Sequence, residues 1–146
     1  MYCSSKPRSL ISIAILVIFI LQTNLLKAHA HAIFEINNVS SSDGYVVLHL
    51  FENKTSFKKF NPDRIYKKVA TKGKTIIPIN DYHEGDIAIF VFHDENSDEE
   101  FNTSIFWTPK EGYAYSNSYI PTSIPKYEEA LFRLEHGVAV NLELIY

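Results

Sequence analysis

The chain has 146 residues, with 14 basic and 17 acidic side chains, one cysteine and a formal net charge of −3. This length suits one domain with one hydrophobic core. The acidic balance argues against nucleic acid as a partner, because domains that bind nucleic acid usually present a basic face.

The first thirty residues have the layout of a secretory signal peptide. Lys6 and Arg8 form a basic start, and residues 10–21 (LISIAILVIFIL) are apolar or small and carry no charge. Ala28-His29-Ala30 then places small residues at positions −3 and −1 of a cut after Ala30. A retained membrane anchor is the alternative, but a spanning helix needs about 20 apolar residues and this run is shorter.

Cleavage after Ala30 predicts an exported protein, periplasmic or extracellular, with no stable membrane span and one domain over residues 31–146. The only cysteine, Cys3, leaves with the leader, so packing without disulfides must hold this domain together. The mature chain keeps 11 basic and 17 acidic residues, a net charge of −6.

Charge is unevenly distributed along the chain. Residues 54–74 hold eight basic residues and one acid, whereas residues 81–100 hold eight acids and no base. One interpretation is that solvated faces of neighbouring strands attract each other across a sheet edge. The other is a basic patch for an anionic surface or a glycan of the cell envelope.

Hydrophobic patterning predicts strands through the first half of the domain. Residues 32–39 alternate loosely, and after a turn rich in Ser, Asp and Gly, residues 45–51 (YVVLHLF) are apolar on both faces, as in a central strand. Residues 65–70 (IYKKVA) fit either a short strand or a helical turn. Residues 75–79 (TIIPI) predict a strand at a sheet edge or a strand end, since Pro78 has no N–H to donate.

The second half continues in the same way. Residues 86–92 (DIAIFVF) are the clearest strand, with two apolar faces. Residues 104–107 predict a brief strand, residues 127–130 one turn of helix, and residues 131–136 with 138–146 a closing hairpin. Seven or eight short strands separated by turns predict an all-β, antiparallel β-sandwich.

Several elements of the second half form a distinctive combination. They are His93-Asp94-Glu95-Asn96 at a strand end, Pro109-Lys110-Glu111-Gly112-Tyr113, Tyr115-Ser116-Asn117, an element made of Pro125, Tyr127, Glu128, Glu129 and Ala130, and a last strand ending in Tyr146. This combination resembles an exported bacterial family, domain of unknown function 2141, over roughly the last 65 residues. The resemblance implies export and an immunoglobulin- or transthyretin-like β-sandwich, and it implies no established activity.

The loop over residues 94–102 is a candidate site for a hard cation. Alternate residues of a curling loop can turn their side-chain oxygens inward, and here these residues are Asp94, Asn96, Asp98, Glu100 and Asn102. Calcium takes six to eight oxygen ligands, which such a loop supplies in part. The loop therefore predicts a calcium site, with a solvated acidic loop as the alternative.

The spacing departs from a tight calcium loop at two positions. The sixth position is Glu99 where Gly is needed, and the twelfth is Ile105 where a bidentate Glu is needed. Glu95, Glu99 and Glu111 are possible substitute ligands. We therefore expect weak binding, on the order of 10⁻⁴–10⁻³ M, as in extracellular modules.

A second metal hypothesis follows from the predicted cleavage site. A cut after Ala30 leaves His31 first, which offers an α-amine and an imidazole together. With a second histidine, this pair would form a copper-binding brace, since nitrogen ligands suit Cu(II). The candidate partners are His83, His93 and His136.

The aromatic residues between positions 106 and 119 have two interpretations. They are Phe106, Trp107, Tyr113, Tyr115 and Tyr119. Exposed on one face, they would stack on sugar rings; buried, they form a corner of the core, which we favour because a small domain without disulfides needs that apolar area.

No enzymatic motif emerges from the sequence. The mature chain has no thiol, no Gly-x-Ser-x-Gly elbow and no phosphate-binding glycine loop. We therefore predict a non-enzymatic binding or structural accessory module of the cell envelope, with a calcium-binding or copper-handling protein as the alternative.

Overall fold

The computed structural model of the protein describes residues 30–82, 84–105 and 108–146, except for the side chains of residues 30 and 31. Residues 1–29 of the predicted leader lie outside this range. The described residues form eight strands in two β-sheets, together with short helices. Their helices are all too short or too polar to cross a membrane.

The elements follow one another in a simple order. They are β1 (Ala30–Val39), β2 (Tyr45–Phe51), α1 (Lys54–Lys58), β3 (Arg64–Val69), β4 (Gly73–Tyr82), β5 (Gly85–Asp94), β6 (Tyr113–Tyr115), a 3₁₀ turn (Ser116–Ser118), α2 (Tyr127–Ala130), β7 (Leu131–Leu134) and β8 (Ala139–Glu143). The predicted mostly-β class is confirmed. Of residues 65–70, which fitted a strand or a helical turn, residues 65–69 belong to strand β3 and Ala70 follows its end.

The strands divide between a three-stranded and a five-stranded sheet. The first has the order β4-β1-β8, so β4 lies at an edge, as its proline predicted. The second has the order β3-β2-β5-β6, and β7 also pairs with β5. Every pairing is antiparallel except that of β1 with β8, which is parallel. The prediction of an entirely antiparallel fold was wrong at this pair.

The predicted closing hairpin was also wrong. Strand β7 pairs with β5, where Ile87 lies opposite Phe132, whereas β8 pairs with β1, where Phe34 lies opposite Val140. The chain therefore crosses from the larger sheet to the smaller one between β7 and β8. Alternating apolar residues determine which face of a strand is buried, but they do not select its partner.

The main hydrophobic core draws side chains from both sheets. Strand β5 contributes Ile87, Ile89 and Val91 from one face, all with 0% exposure. Residues from β1, β2, β4, β6, β7 and β8 complete the same cluster. Burying these side chains is the largest favourable contribution to folding in a domain of this size.

The opposite face of β5 belongs to a second, aromatic cluster. Phe90 and Phe92 lie fully buried beside Tyr115, and Tyr113 and Tyr119 pack against them. Both faces of β5 are therefore buried, as predicted. The interpretation of Tyr113, Tyr115 and Tyr119 as core residues is confirmed, while Phe106 and Trp107 lie outside the described residues.

Helix α1 covers part of this aromatic cluster and has a well-defined start and end. The side chain of Asn53 accepts hydrogen bonds from the backbone N–H groups of Thr55 and Ser56, both at 3.0 Å. The helix ends at Lys58, and two residues later Phe60 has φ +50, a conformation that usually requires Gly. A side chain in this conformation costs about 1–2 kcal/mol.

Ion pairs join the basic segment to the acidic one. Arg64 of β3 lies 3.1 Å from Asp81 of β4, and Lys67 of β3 lies 2.7 Å from Glu99. The basic and acidic segments therefore attract each other, but not as neighbouring strands of one sheet, because β3 and β4 belong to different sheets and Glu99 lies in a loop. These ion pairs involve only part of the lysines in residues 54–74.

Candidate metal centre

The candidate metal centre lies where β5 ends and β6 begins. In this antiparallel pair Phe92 lies opposite Tyr113, and the N–H of His93 donates to the carbonyl of Gly112 at 2.8 Å. Continuing the register by two residues places Asp94 opposite Glu111. Like charges directly opposite each other on neighbouring strands are destabilising. The fold therefore creates a site where negative charge accumulates.

A small hairpin returns the chain to this position. The N–H of Ser104 donates to the carbonyl of Thr108 at 2.7 Å, and the N–H of Lys110 donates to the carbonyl of Asn102 at 3.0 Å. Thr103 and Pro109 form a single bridge. The sequence predicted a brief strand at residues 104–107, but Ser104 and Ile105 are not in a strand, and residues 106 and 107 lie outside the described range.

Asp94 organises the acidic loop through its buried carboxylate. The side chain has 0% exposure. Its Oδ1 accepts a hydrogen bond from the N–H of Asp98, and its Oδ2 accepts one from the N–H of Glu99, each at 3.1 Å. These contacts draw Asp98 back toward the end of β5.

Asp98 is held in place by donors from its own loop. The side-chain amides of Asn96 and Asn102 donate to its Oδ2, each at 2.8 Å, and the N–H of Glu100 donates to its Oδ1 at 2.9 Å. The hydrogen bond from Asn102 is the largest cause that lowers the pKa of Asp98. Asp98 is therefore ionised at neutral pH.

Glu111 is the third carboxylate of the group, and it accepts the fewest hydrogen bonds. One carboxylate oxygen from each of Asp94, Asp98 and Glu111 lies within 4.8 Å of the other two. Glu111 is 6% exposed, and its Oε2 accepts the N–H of Asn102 at 2.9 Å. Its Oε1 is buried and has no hydrogen-bond partner among the described residues. A buried acceptor without a partner is costly, and a cation would satisfy it.

The electrostatics of Glu111 agree with this geometry. Burial is the largest cause that raises its pKa, and the neighbouring charges of Asp94, Asp98 and Glu95 raise it further. In the absence of a cation, ionised Glu111 therefore opposes folding.

A pH-dependent stability follows from this shift. Because the folded-state pKa of Glu111 lies above its ordinary value of 4.5, the stability that protonated Glu111 provides is lost as pH rises through the folded-state pKa. In EDTA, Glu111→Gln is expected to melt at the same temperature as the wild type below pH 4.5 and at a higher temperature at pH 7. A lower melting temperature at pH 7 would show that this carboxylate does not oppose folding.

Only part of the predicted ligand set meets in the structure. Asp94 and Asp98 converge, but Asn96 and Asn102 turn their amide nitrogens toward Asp98. Glu100 contributes its backbone N–H to Asp98. Of the substitute ligands, Glu111 joins the group, whereas Glu99 pairs with Lys67 and Glu95 bonds to the hydroxyl of Ser40. The five-residue calcium loop itself stays a prediction.

His93 precedes Asp94 and is held in place by contacts outside the acidic loop. Its Nε2 lies 2.9 Å from the carbonyl of Asp43, which can only accept, so this nitrogen carries the proton. Its Nδ1 lies 3.1 Å from the hydroxyl of Tyr146, and this hydroxyl accepts the N–H of Ser40 at 2.9 Å. The ring of Tyr146 in turn packs on Gly112, where a Cβ would approach it to 2.3 Å. Both nitrogens of His93 are therefore engaged within the protein.

The same contacts bear on the copper hypothesis. His93 lies beside Ser40, beyond the end of β1, whereas His31 lies at the start of this strand, roughly 30 Å away at the rise of an extended chain. His136 lies nearer to the start of β1, because its N–H donates to Glu84, close to the segment of β4 that pairs with Ala30. The side chains of His31 and His83 lie outside the described range, so the brace stays a prediction.

Two β-sheets with a convergent group of carboxylates at the end of a central strand define an all-β protein with a candidate hard-cation site. The chain belongs to the bacterial family described as "Uncharacterized protein conserved in bacteria", domain of unknown function 2141, whose model matches residues 34–141. The match confirms the resemblance and extends it into the first half of the domain. No curated protein and no solved structure matches the chain.

Proposed function

We propose that the protein is an exported, non-enzymatic binding module that holds one calcium ion between Asp94, Asp98 and Glu111. The observation that carries this proposal is that Glu111 has a buried, unpartnered Oε1 and that its carboxylate lies close to those of Asp94 and Asp98. When all three side chains are ionised, three negative charges lie close together. A divalent cation would offset their mutual repulsion and satisfy the orphaned oxygen.

Calcium fits this site better than the other common hard cation. Calcium accepts irregular coordination by six to eight oxygens at about 2.3–2.6 Å, so three carboxylates with water or backbone carbonyls suffice. Magnesium requires a smaller and nearly octahedral arrangement and keeps most of its water. We expect an affinity on the order of 10⁻⁴–10⁻³ M, suited to a compartment outside the cytoplasm.

The bound ion would have a structural role. It would pin the 102–110 hairpin against the end of β5, because Glu111 follows the hairpin and Asp94 ends the strand. Through hydrogen bonds of His93 with Tyr146 and Ser40, this point is connected to the end of β1 and to the last residue. The ion would thus fix the surface that the acidic loop and the hairpin present to a partner.

Thermal unfolding tests the proposal. At pH 7, about 10 mM Ca²⁺ is expected to stabilise the wild-type protein by about 1–3 kcal/mol, which corresponds to roughly 5–10 °C in Tm. The same concentration of Mg²⁺ should produce a clearly smaller shift. Absence of any Ca²⁺-dependent shift at this concentration would sink the proposal.

Two variants with the same change of charge separate the possible ligand sets. Glu111→Gln is expected to abolish the calcium-dependent shift, because it removes a ligand. Glu100→Gln lies in the same loop and is expected to keep the shift, because its carboxylate is not one of the three that converge. The opposite result would favour the loop ligands that the sequence suggested over the group that includes Glu111.

Export and the finer fold class complete the proposal. The basic start, apolar run and small residues before Ala30 support cleavage of a leader. A core shared by two mostly antiparallel sheets supports an immunoglobulin- or transthyretin-like sandwich. A mass spectrum of the exported protein that gives His31 as the first residue would support the cleavage, and an intact N-terminus would contradict it.

A further inference from the structure

The structure contains a second candidate site, away from the acidic loop. A cleft of about 700 Å³ opens between α1 and the segment that precedes α2. Its volume lies within the range of about 300–1,000 Å³ that is usual for ligand sites. We name it the lysine–aromatic cleft after the residues that characterise its walls: Lys54, Lys58, Lys126, Phe57, Phe60 and Tyr127.

The cleft is positively charged on a protein that is acidic as a whole. Lys54 pairs with Glu128, the acid of the cleft wall, and the hydrogen bond from Lys54 is the largest cause that lowers the pKa of Glu128. Lys58 and Lys126 form no ion pair with the residues that the structure describes. Two cations therefore remain to attract an anion into the cleft.

The aromatic rings of the cleft form a surface suited to stacking. Phe60 is 47% exposed, and its ring packs edge-on against His49 and Phe90, with centroids 5.6 and 5.3 Å away. Burial lowers the pKa of His49 to about 4, so this neighbour is neutral and adds no charge. Phe57 and Tyr127 pack together beside it at 5.6 Å.

The backbone at Phe60 gives a second, independent observation. Its N–H donates to the carbonyl of Phe57, and the N–H of Asn61 donates to that of Ser56, each at 3.0 Å, which is the usual helix-ending motif. Gly would satisfy this left-handed position without strain, yet the chain places a half-exposed aromatic ring there. Strained residues of this kind cluster at active sites and ligand clamps.

We propose that the lysine–aromatic cleft binds an acidic polysaccharide built of uronic acid units. The apolar faces of sugar rings would stack on Phe60 and Tyr127, while their carboxylates would pair with Lys58 and Lys126. A free anion would use the lysines alone and leave the rings without a role. An acidic peptide that added to a strand edge would not reach this cleft, because helix and loop residues provide its lysines and rings.

Binding of defined oligosaccharides tests this inference. The intact protein, expressed with its leader and purified in EDTA, is titrated with oligogalacturonate and with the same oligomer as its neutral methyl ester. EDTA removes calcium, so the result is independent of the ion site proposed above. We expect saturable binding of the acidic oligomer and no measurable binding of the ester at equal concentration.

Variants locate the binding on the cleft. The double variant Lys58→Gln/Lys126→Gln is expected to lower the affinity about tenfold, since each partly exposed pair contributes modestly. Lys68→Gln/Lys72→Gln removes two charges from the same basic segment outside the cleft and should change the affinity less than about twofold. Phe60→Gly keeps the backbone conformation, removes the ring and should lower the affinity about fivefold while the protein stays folded.

Several results would overturn the proposal. They are no binding of oligogalacturonate at millimolar concentration, equal binding of oligoglutamate or inorganic phosphate, and equal losses in the two lysine double variants. The second result would indicate a general anion site, and the third a diffuse attraction by surface charge. None of these outcomes affects the calcium measurements, because calcium is absent from this experiment.

Discussion

Gly44→Ala is expected to destabilise the protein by about 2–4 kcal/mol. Gly44 has φ +65, and a Cβ built on it would lie 1.9 Å from the carbonyl oxygen of Asp94 and 2.9 Å from its carbon. Both atoms belong to the backbone of β5, so a side-chain movement cannot relieve the clash. The backbone that positions the Asp94 carboxylate must therefore shift.

Gly73→Ala is the matched control for this prediction. Gly73 also has a left-handed backbone, with φ +87, but a Cβ at this position meets nothing within 4 Å. Gly73→Ala should lose only about 1–2 kcal/mol of stability, which is the cost of a side chain in the left-handed conformation. Urea unfolding of both variants isolates the clash, and equal losses would show that Gly44 does not approach β5 closely.

Phe90→Ala is expected to destabilise the protein by about 3–5 kcal/mol, the usual range for a buried Phe. Phe90 is fully buried at the centre of the aromatic cluster, with the rings of Tyr115 and Phe101 at 4.8 and 5.0 Å and the ring of Phe92 stacked at 5.7 Å. Its removal leaves a cavity among rings that are also held by the sheet and cannot close together.

Chemical denaturation provides the measurement, with Phe90→Leu as the control. Leu keeps most of the volume and should lose less than half as much stability as Ala. A loss below about 1 kcal/mol for Phe90→Ala would contradict a tightly packed cluster. Because Phe60 also packs against Phe90, the same variant should weaken the wall of the lysine–aromatic cleft.

The strands could be predicted from the sequence where their apolar patterns are strongest. Residues 45–51 and 86–92 are apolar on both faces, and they form the buried strands β2 and β5 at the centre of the larger sheet. The pairing of β8 with β1 could not be predicted, because partners more than a hundred residues apart are selected by packing of the whole core rather than by local pattern.

Local pattern accounts for only part of the carboxylate group at the acidic loop. Its alternate spacing identified Asp94 and Asp98, which depend on local turns. Glu111 meets them only because the 102–110 hairpin returns the chain to the β5–β6 register. Glu111 stands two residues before Tyr113, as Asp94 stands two residues after Phe92, and pairing these two apolar segments would have suggested the contact.

The lysine–aromatic cleft was not predicted as a site. The sequence shows the basic segment and the spacing of Phe57 and Phe60. The positive φ of Phe60 and the opposing wall around Tyr127 arise only in the folded chain. A helix-ending position occupied by an aromatic residue instead of Gly is the local signal that would have drawn attention to it.

A crystal grown with about 10 mM CaCl₂ tests most directly whether Asp94, Asp98 and Glu111 hold a calcium ion. We predict one density peak bonded to an oxygen of each residue at about 2.3–2.6 Å, and no peak in crystals of the Glu111→Gln variant. Wild-type crystals with only water between the three carboxylates, or with the ion bound to the exposed loop without Glu111, would contradict the proposal.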